Sequence, residues 1–225
     1  MALNFFTTDD TDSTYVKILA YGPSGSGKTH AIATLEDLSK AFIISAEKGT
    51  LSLKSHKIGG CIVDSLEEVE EAYSFLAKEK DKGRFNWVCI DSITDICEVV
   101  LSKELQRNND PRKAYGNMQE SMIRMVRKFR DLPRNVYMTA HVDRLQNETG
   151  NFFHQPKCPG KQLGPRLPYF FDEVFAVVSK RDEAGEVKTV LQTHGDDQFS
   201  AKDRSGSLSK YEQFDLAAIT SKIKG

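Results

Sequence analysis

The residues with the clearest chemistry run from Gly22 to Thr29 and read Gly-Pro-Ser-Gly-Ser-Gly-Lys-Thr, the spacing G-x-x-x-x-G-K-T. Gly22, Gly25 and Gly27 let the backbone wrap so that successive N–H groups point inward at phosphate oxygens. Lys28 has the reach for the β- and γ-phosphates of a nucleoside triphosphate, and the Thr29 hydroxyl suits Mg²⁺. Pro23, Ser24, Ser26 and His30 complete the stretch expected to line such a ligand. A Gly/Ser turn with an unrelated lysine is the ordinary alternative. It does not explain why this run joins a strand-forming segment to a helix-forming one, whose positive dipole end would add to the site.

Three further positions could serve the same ligand. Asp91 ends the apolar run 86–90, where a carboxylate can hold Mg²⁺ through its water shell; as a plain alternative it caps a helix starting at 93. Ser92 occupies the place where many triphosphatases carry a water-orienting Glu, so the base is sought elsewhere. Glu47, after the run 41–45, is the remaining acidic strand end near the loop and is the candidate general base; the alternative pairs it with Lys48 in solvent. His141 follows the run 135–140 and could sense the γ-phosphate, or lie in solvent at a strand end.

These positions need elements to hold them. Segments 15–21, 41–45, 86–90 and 135–140 are strand formers, and 61–63 is a weaker one. Helical spacing marks 29–39 through Ala31, Ile32, Leu35 and Leu38, an acidic amphipathic stretch 65–80, then 93–107, 114–130 and a closing 215–222. Residues 143–168 hold four prolines and read as a long loop, and 171–179 with 187–193 as a late hairpin. The alternation predicts an α/β fold, a mostly parallel central sheet flanked by helices with antiparallel strands at the C-terminal end, and ligands at the carboxyl ends of the strands.

Composition narrows the class. The chain has 225 residues, 39% hydrophobic and 28% charged, which excludes a disordered or collagen-like chain. No run approaches the roughly 20 apolar residues of a membrane helix, and the N-terminus lacks the features of a signal peptide. A net charge of -1 leaves only local basic patches for nucleic acid. Cys61, Cys89, Cys97 and Cys158 form no C-x-x-C pair and read as reduced thiols of a cytoplasmic protein. His154 with Cys158 gives two ligands, too few for zinc.

Together these segments resemble the RecA-like P-loop ATPase core. Residues 41–47 look like the segment that ends in that core's catalytic Glu, and Val88-Cys-Ile-Asp-Ser92 like its magnesium strand. Ala201-Lys-Asp-Arg-Ser-Gly206 is similar to the Lys-x-Arg-x-Gly element of DnaB-type helicases and RadA-type recombination proteins. The resemblance implies that Lys202 and Arg204 reach a neighbouring subunit's γ-phosphate; an exposed basic turn is the alternative. The ordered set, which also includes Tyr115-Gly116, 129–133, Thr139-Ala-His141 and Phe171-Asp-Glu-Val174, resembles small phage ATP-binding proteins, the group that includes single-strand annealing proteins.

The resemblance implies one RecA-like domain over 15–225 behind a flexible tail 1–14. The chain departs from full-length recombinases in that its first core strand begins near Tyr15, so no DNA-binding or assembly domain is expected ahead of it. The resemblance also implies ATP and Mg²⁺ as cofactors, weak ATPase turnover coupled to DNA, and a homo-oligomer, ring or filament, in the cytoplasm, the host's if phage-encoded. Annealing is favoured over strand exchange, with a single-strand-binding protein as a candidate partner. Single-stranded DNA would follow segment 144–168, where Arg144, Lys157, Lys161 and Arg166 outnumber Glu148 and Phe152, Phe153 and His154 offer rings for stacking. Segment 112–134 adds Arg112, Lys113, Arg124, Arg127, Lys128, Arg130 and Arg134 against Glu120 and Asp131. Phe5 and Phe6 could dock on the next subunit. The competing readings are a nucleotide or small-molecule kinase and a non-hydrolysing switch. A GTPase is disfavoured, because no Asn-Lys-x-Asp run is present.

Overall fold

Every residue of β1 (Lys17–Gly22) is buried, as a strand covered on both faces must be. Its side chains alternate between two cores: Leu19 and Tyr21 face one, Ile18 and Ala20 the other. The computed structural model describes residues 15–47, 50–78, 84–146, 150–182 and 184–225. The expected tail 1–14, with Phe5 and Phe6, and Lys48 and Glu148 lie outside the described residues.

After β1 come β2 (Ala41–Ser45), β3 (Gly59–Ile62), α1 (Leu66–Lys78), β4 (Trp87–Asp91), α2 (Ile93–Arg107), α3 (Pro111–Arg130) and β5 (Asn135–Gln146). The chain continues through β6 (Phe152–Pro156), α4 (Leu163–Arg166), β7 (Glu173–Arg181), β8 (Val187–Gln192), β9 (Lys202–Asp203), β10 (Tyr211–Gln213) and α5 (Leu216–Lys224). Among the described residues the sheet order is β10-β8-β7-β1-β5-β4-β2-β3, with β6 on β5 and β9 on β7. The strands from β7 to β3 run parallel, while β6, β8, β9 and β10 are antiparallel additions. This is the α/β architecture expected from the sequence.

Helices α1, α2 and α3 cover one face through Val69, Leu76, Ile96, Val100, Met122 and Phe129. Ile32, Leu35, Leu216 and Ile219 cover the other. Buried cations tie the amino ends of the strands. Lys17 Nζ donates to the carbonyls of Leu132 (2.7 Å) and Arg134 (2.5 Å), and Arg134 donates to those of Phe85 and Leu76. No helix among the described residues is long and apolar enough to cross a membrane.

Two expectations about local structure are corrected. The helix expected over 29–39 is two short 3-10 turns, His30–Thr34 and Leu38–Lys40. The Thr34 hydroxyl donates to the Ala31 carbonyl (2.7 Å) and accepts from the Leu216 N–H of α5 (2.8 Å), and the chain turns extended at Leu35. The apolar spacing still buries Ala31, Ile32 and Leu35, but so short a turn contributes little macrodipole. The long loop expected over 143–168 is mostly ordered backbone. β5 runs on to Gln146 and β6 returns beside it, Val142 opposite Pro156 and Gln146 opposite Phe152. The prolines that suggested a loop fall at or beyond the end of β6, where a missing N–H costs no ladder bond.

Candidate active site

The turn after β1 has the cradle its glycines predict. Gly25 and Gly27 sit at φ of 72° and 89°, in the region that disfavours side chains, and nothing lies within 4 Å of a Cβ built on Gly25. Lys28 is buried, with its ammonium folded back onto the loop. It donates to the carbonyls of Gly22 (2.9 Å) and Pro23 (2.7 Å). Burial pushes Lys28 below its usual value, while the charges of Asp91, Asp95 and Glu47 oppose that shift. The Tyr137 hydroxyl of β5 donates to the Lys28 carbonyl (2.9 Å) and holds the loop's exit.

Asp91 faces this loop because β5 separates β4 from β1 and spaces the two strand ends. Its carboxylate accepts from the hydroxyls of Thr29 (Oδ2, 2.6 Å) and Thr139 (Oδ1). Asp91 is therefore not the helix cap; Ser92 is, accepting from the Asp95 N–H at the start of α2. A hydroxyl and a carboxylate brought together are hard oxygen donors of the kind Mg²⁺ takes. With the open glycine cradle and a lysine beside it, the residues fit a magnesium triphosphate.

A second group faces the same cavity of about 360 Å³. Glu47, Asp95 and His141 come from three elements, yet their ligand atoms lie within 4.8 Å of one another. His141 Nε2 is 3.6 Å from Asp95 Oδ2, which also accepts from the Ser92 hydroxyl. The Asp95 charge, then burial, push the Glu47 carboxyl above its usual range, with His141 opposing. Two carboxylates and an imidazole can hold a divalent cation or orient a water. A bracket of hydrogen bonds fixes His141: its N–H donates to the Thr94 hydroxyl (2.9 Å), which donates to the Lys157 carbonyl (2.8 Å), and the Lys157 N–H returns to the His141 carbonyl (2.9 Å).

Asp95 is the residue that sequence reasoning missed. Its position four residues after Asp91, one helical turn into α2, is the signal that could have marked it.

Lys202 and Arg204 are not brought to this cavity. β9 pairs with β7 at Glu173 and Val174, and Glu173 lies opposite Ile18 near the amino end of β1, four residues before Gly22. At about 3.3 Å per residue that is about 13 Å from the strand's carboxyl end. Here Lys202 Nζ donates to the Pro168 carbonyl (2.8 Å) and Arg204 pairs with Asp172 (2.6 Å). Burial and the neighbouring Arg204 push Lys202 below its usual value.

The basic segments are more heavily engaged than their charge count suggested. The Arg144 guanidinium lies 3.5 Å from the Phe152 ring centroid, and His154 stacks on Phe199 at 4.6 Å. Lys157, Lys161 and Arg166 are exposed. In α3, Arg124 pairs with Glu120 and Lys128 with Glu70, and Arg130 pairs with the following Asp131. Arg127 lies over Phe170, and beyond α3 Arg134 is buried among backbone carbonyls. Cys158 packs with its Sγ 3.7 Å from that of Cys97, and among the described residues it joins no metal-ligating group with His154.

A glycine cradle with its lysine, a facing Asp on a non-adjacent strand and a mostly parallel sheet define a P-loop nucleoside triphosphatase core of the RecA-like kind. The family model described as an AAA domain matches residues 14–205, and the chain belongs to that family. Similar solved structures include a KaiC-like protein from the hyperthermophilic archaeon Pyrococcus horikoshii, at 13% identity and a TM-score of 0.45, covering 78% of this chain and 76% of that one. Another is an ATPase from the type III secretion system of pathogenic bacteria, at 13% identity and a TM-score of 0.50, covering 72% of this chain. The match spans 50% of the secretion ATPase, and at such identity the likeness is one of fold alone. No curated protein matches the sequence.

Proposed function

We propose that this chain is a magnesium-dependent ATPase that assembles with copies of itself on single-stranded DNA and promotes annealing or recombination, as the small phage proteins it resembles do. The observation that carries the nucleotide part is the convergence of Lys28, Thr29 and Asp91 on one cavity edged by Glu47, Asp95 and His141. The strand-binding part rests on exposed Arg144 and the rings of the β5–β6 hairpin, on exposed Lys157, Lys161 and Arg166 after it, and on the resemblance.

Lys28 leaves the loop carbonyls and turns its ammonium to the phosphates. Thr29 and Asp91 would hold Mg²⁺, which when bound would supply charge stabilisation to the transferring phosphoryl group. Glu47 takes a proton from the attacking water, and Asp95 keeps that carboxyl basic enough to do so. His141, held by the Thr94 bracket, reports the occupied cavity to the segment after β6. Lys202 and Arg204, at the far end of the sheet in their own chain, complete the cavity of the next copy, where a bidentate guanidinium favours transfer.

The test is phosphate release alongside binding of a non-hydrolysable ATP analogue. Glu47→Gln is expected to slow turnover by about 100-fold while the analogue still binds. Unchanged turnover removes Glu47 as base, and absence of turnover in the unaltered chain favours the non-hydrolysing switch. Oligonucleotide affinity is expected to rise with ATP, and equal affinity with and without it removes the coupling.

A further inference from the structure

A second and larger cavity, about 680 Å³, lies on the outer side of the phosphate loop. Gly22–Ser26 floors it, the β5–β6 hairpin forms one wall and the β7–β8 hairpin the other. Ser24, Gly25 and Ser26 line both this crevice and the triphosphate cavity, so the two sites share one thin wall of backbone.

Its chemistry is that of a nucleotide site. Arg144 stands at one wall with its guanidinium over Phe152, and Lys180 at the other, its ammonium 3.2 Å from the Tyr211 ring centroid. Among the described residues neither cation is paired with a carboxylate. The crevice's own carboxylate, Asp196, is engaged by the Gln192 amide, by two backbone N–H groups and by Lys210. On the β5–β6 hairpin's wall His154 stacks on Phe199, and both rings line the crevice. Two cations with no carboxylate partner among the described residues, lining one crevice with a pair of rings, match a phosphate joined to a base.

We propose that this crevice binds a nucleotide unit, its phosphate against Arg144 and Lys180 and its base on the His154–Phe199 pair. The unit comes either from a nucleic-acid strand, which rests on the strand-binding reading above, or from a free mononucleotide. Because Ser24, Gly25 and Ser26 are common to both cavities, filling one alters the backbone that grips the ligand in the other.

The test uses the full chain and the double charge reversal Arg144→Glu with Lys180→Glu, both exposed positions, with folding checked by circular dichroism. One arm follows a labelled oligothymidylate across a salt titration, and the other follows thymidine monophosphate by calorimetry with the triphosphate cavity saturated by an ATP analogue. The reversal is expected to weaken oligonucleotide binding by about tenfold or more and to reduce the salt slope by about two. Loss confined to the mononucleotide arm also supports the site and assigns it to a free nucleotide; if the unaltered chain then binds no oligonucleotide, the strand-binding reading fails while the crevice stands. If the unaltered chain binds the oligonucleotide and the reversal changes neither arm, the crevice is overturned and the strand-binding reading survives. A chain that binds neither probe overturns both.

Discussion

Asp95 shows how one side chain can set the strength of another. It accepts from the Ser92 hydroxyl, stands 3.6 Å from His141 Nε2 and is the largest influence raising the Glu47 carboxyl. A carboxylate beside a second carboxylate holds its proton more tightly, so in the proposed reaction Glu47 is a better base with Asp95 than without it. Replacing Asp95 by Asn removes that charge. Turnover is expected to fall by about tenfold with KM little changed, and the acidic limb of the pH–rate profile to move to lower pH. Steady-state kinetics across pH check both, and an unmoved limb would mean that Asp95 serves the helix cap alone.

At the scale of elements, the short strand β9 carries a pH dependence. Glu173 of β7 lies opposite Asp203 of β9 and is 1% exposed. One of its oxygens accepts from the Ser205 N–H (3.1 Å), while Oε2 has no partner among the described residues. Burial, then the charge of Asp203, push the carboxyl up to about 7. The folded chain therefore keeps a proton that the unfolded chain gives up near pH 4.5. Glu173 costs nothing below that value, weakens the fold as pH rises toward 7 and leaves a constant penalty above it, up to about 3 kcal/mol. Glu173→Gln is expected to flatten this loss, raising the melting temperature at pH 8 while changing it little at pH 4. Thermal unfolding at the two pH values measures it. Because β9 carries Lys202, the same titration would loosen the strand that presents Lys202 and Arg204.

At the scale of the molecule, the phosphate loop and the Lys202–Arg204 pair stand at opposite ends of β1, so a shared site requires head-to-tail copies. Mixing a Lys28→Ala chain with an Arg204→Ala chain is then informative. Each alone is expected to be inactive. In an equal mixture about a quarter of the junctions join an intact loop to an intact Arg204, and ATPase activity returns to about that fraction. Activity that stays at the inactive level of both parents means that Arg204 acts within its own chain, and an active Arg204→Ala parent means that it does not act at all.

The glycine and lysine spacing of 22–29, the parity of Ile18, Leu19, Ala20 and Tyr21, and the acidic strand ends were legible in the sequence because each is local: a strand period, a turn and a neighbouring residue suffice. The same local reasoning overestimated the helix after the loop, since the bond from Leu216 to Thr34 spans most of the chain. It also took the β5–β6 hairpin for a loop, because prolines at a strand's end resemble prolines in none. What only the tertiary structure decided are meetings between distant residues. Examples are Thr139 and Thr29 on one Asp91, Asp95 between Glu47 and His141, and Arg144 facing Lys180 across a crevice. Those depend on which strand lies between which, and sheet order is set by the burial of whole faces, not by any residue's immediate neighbours.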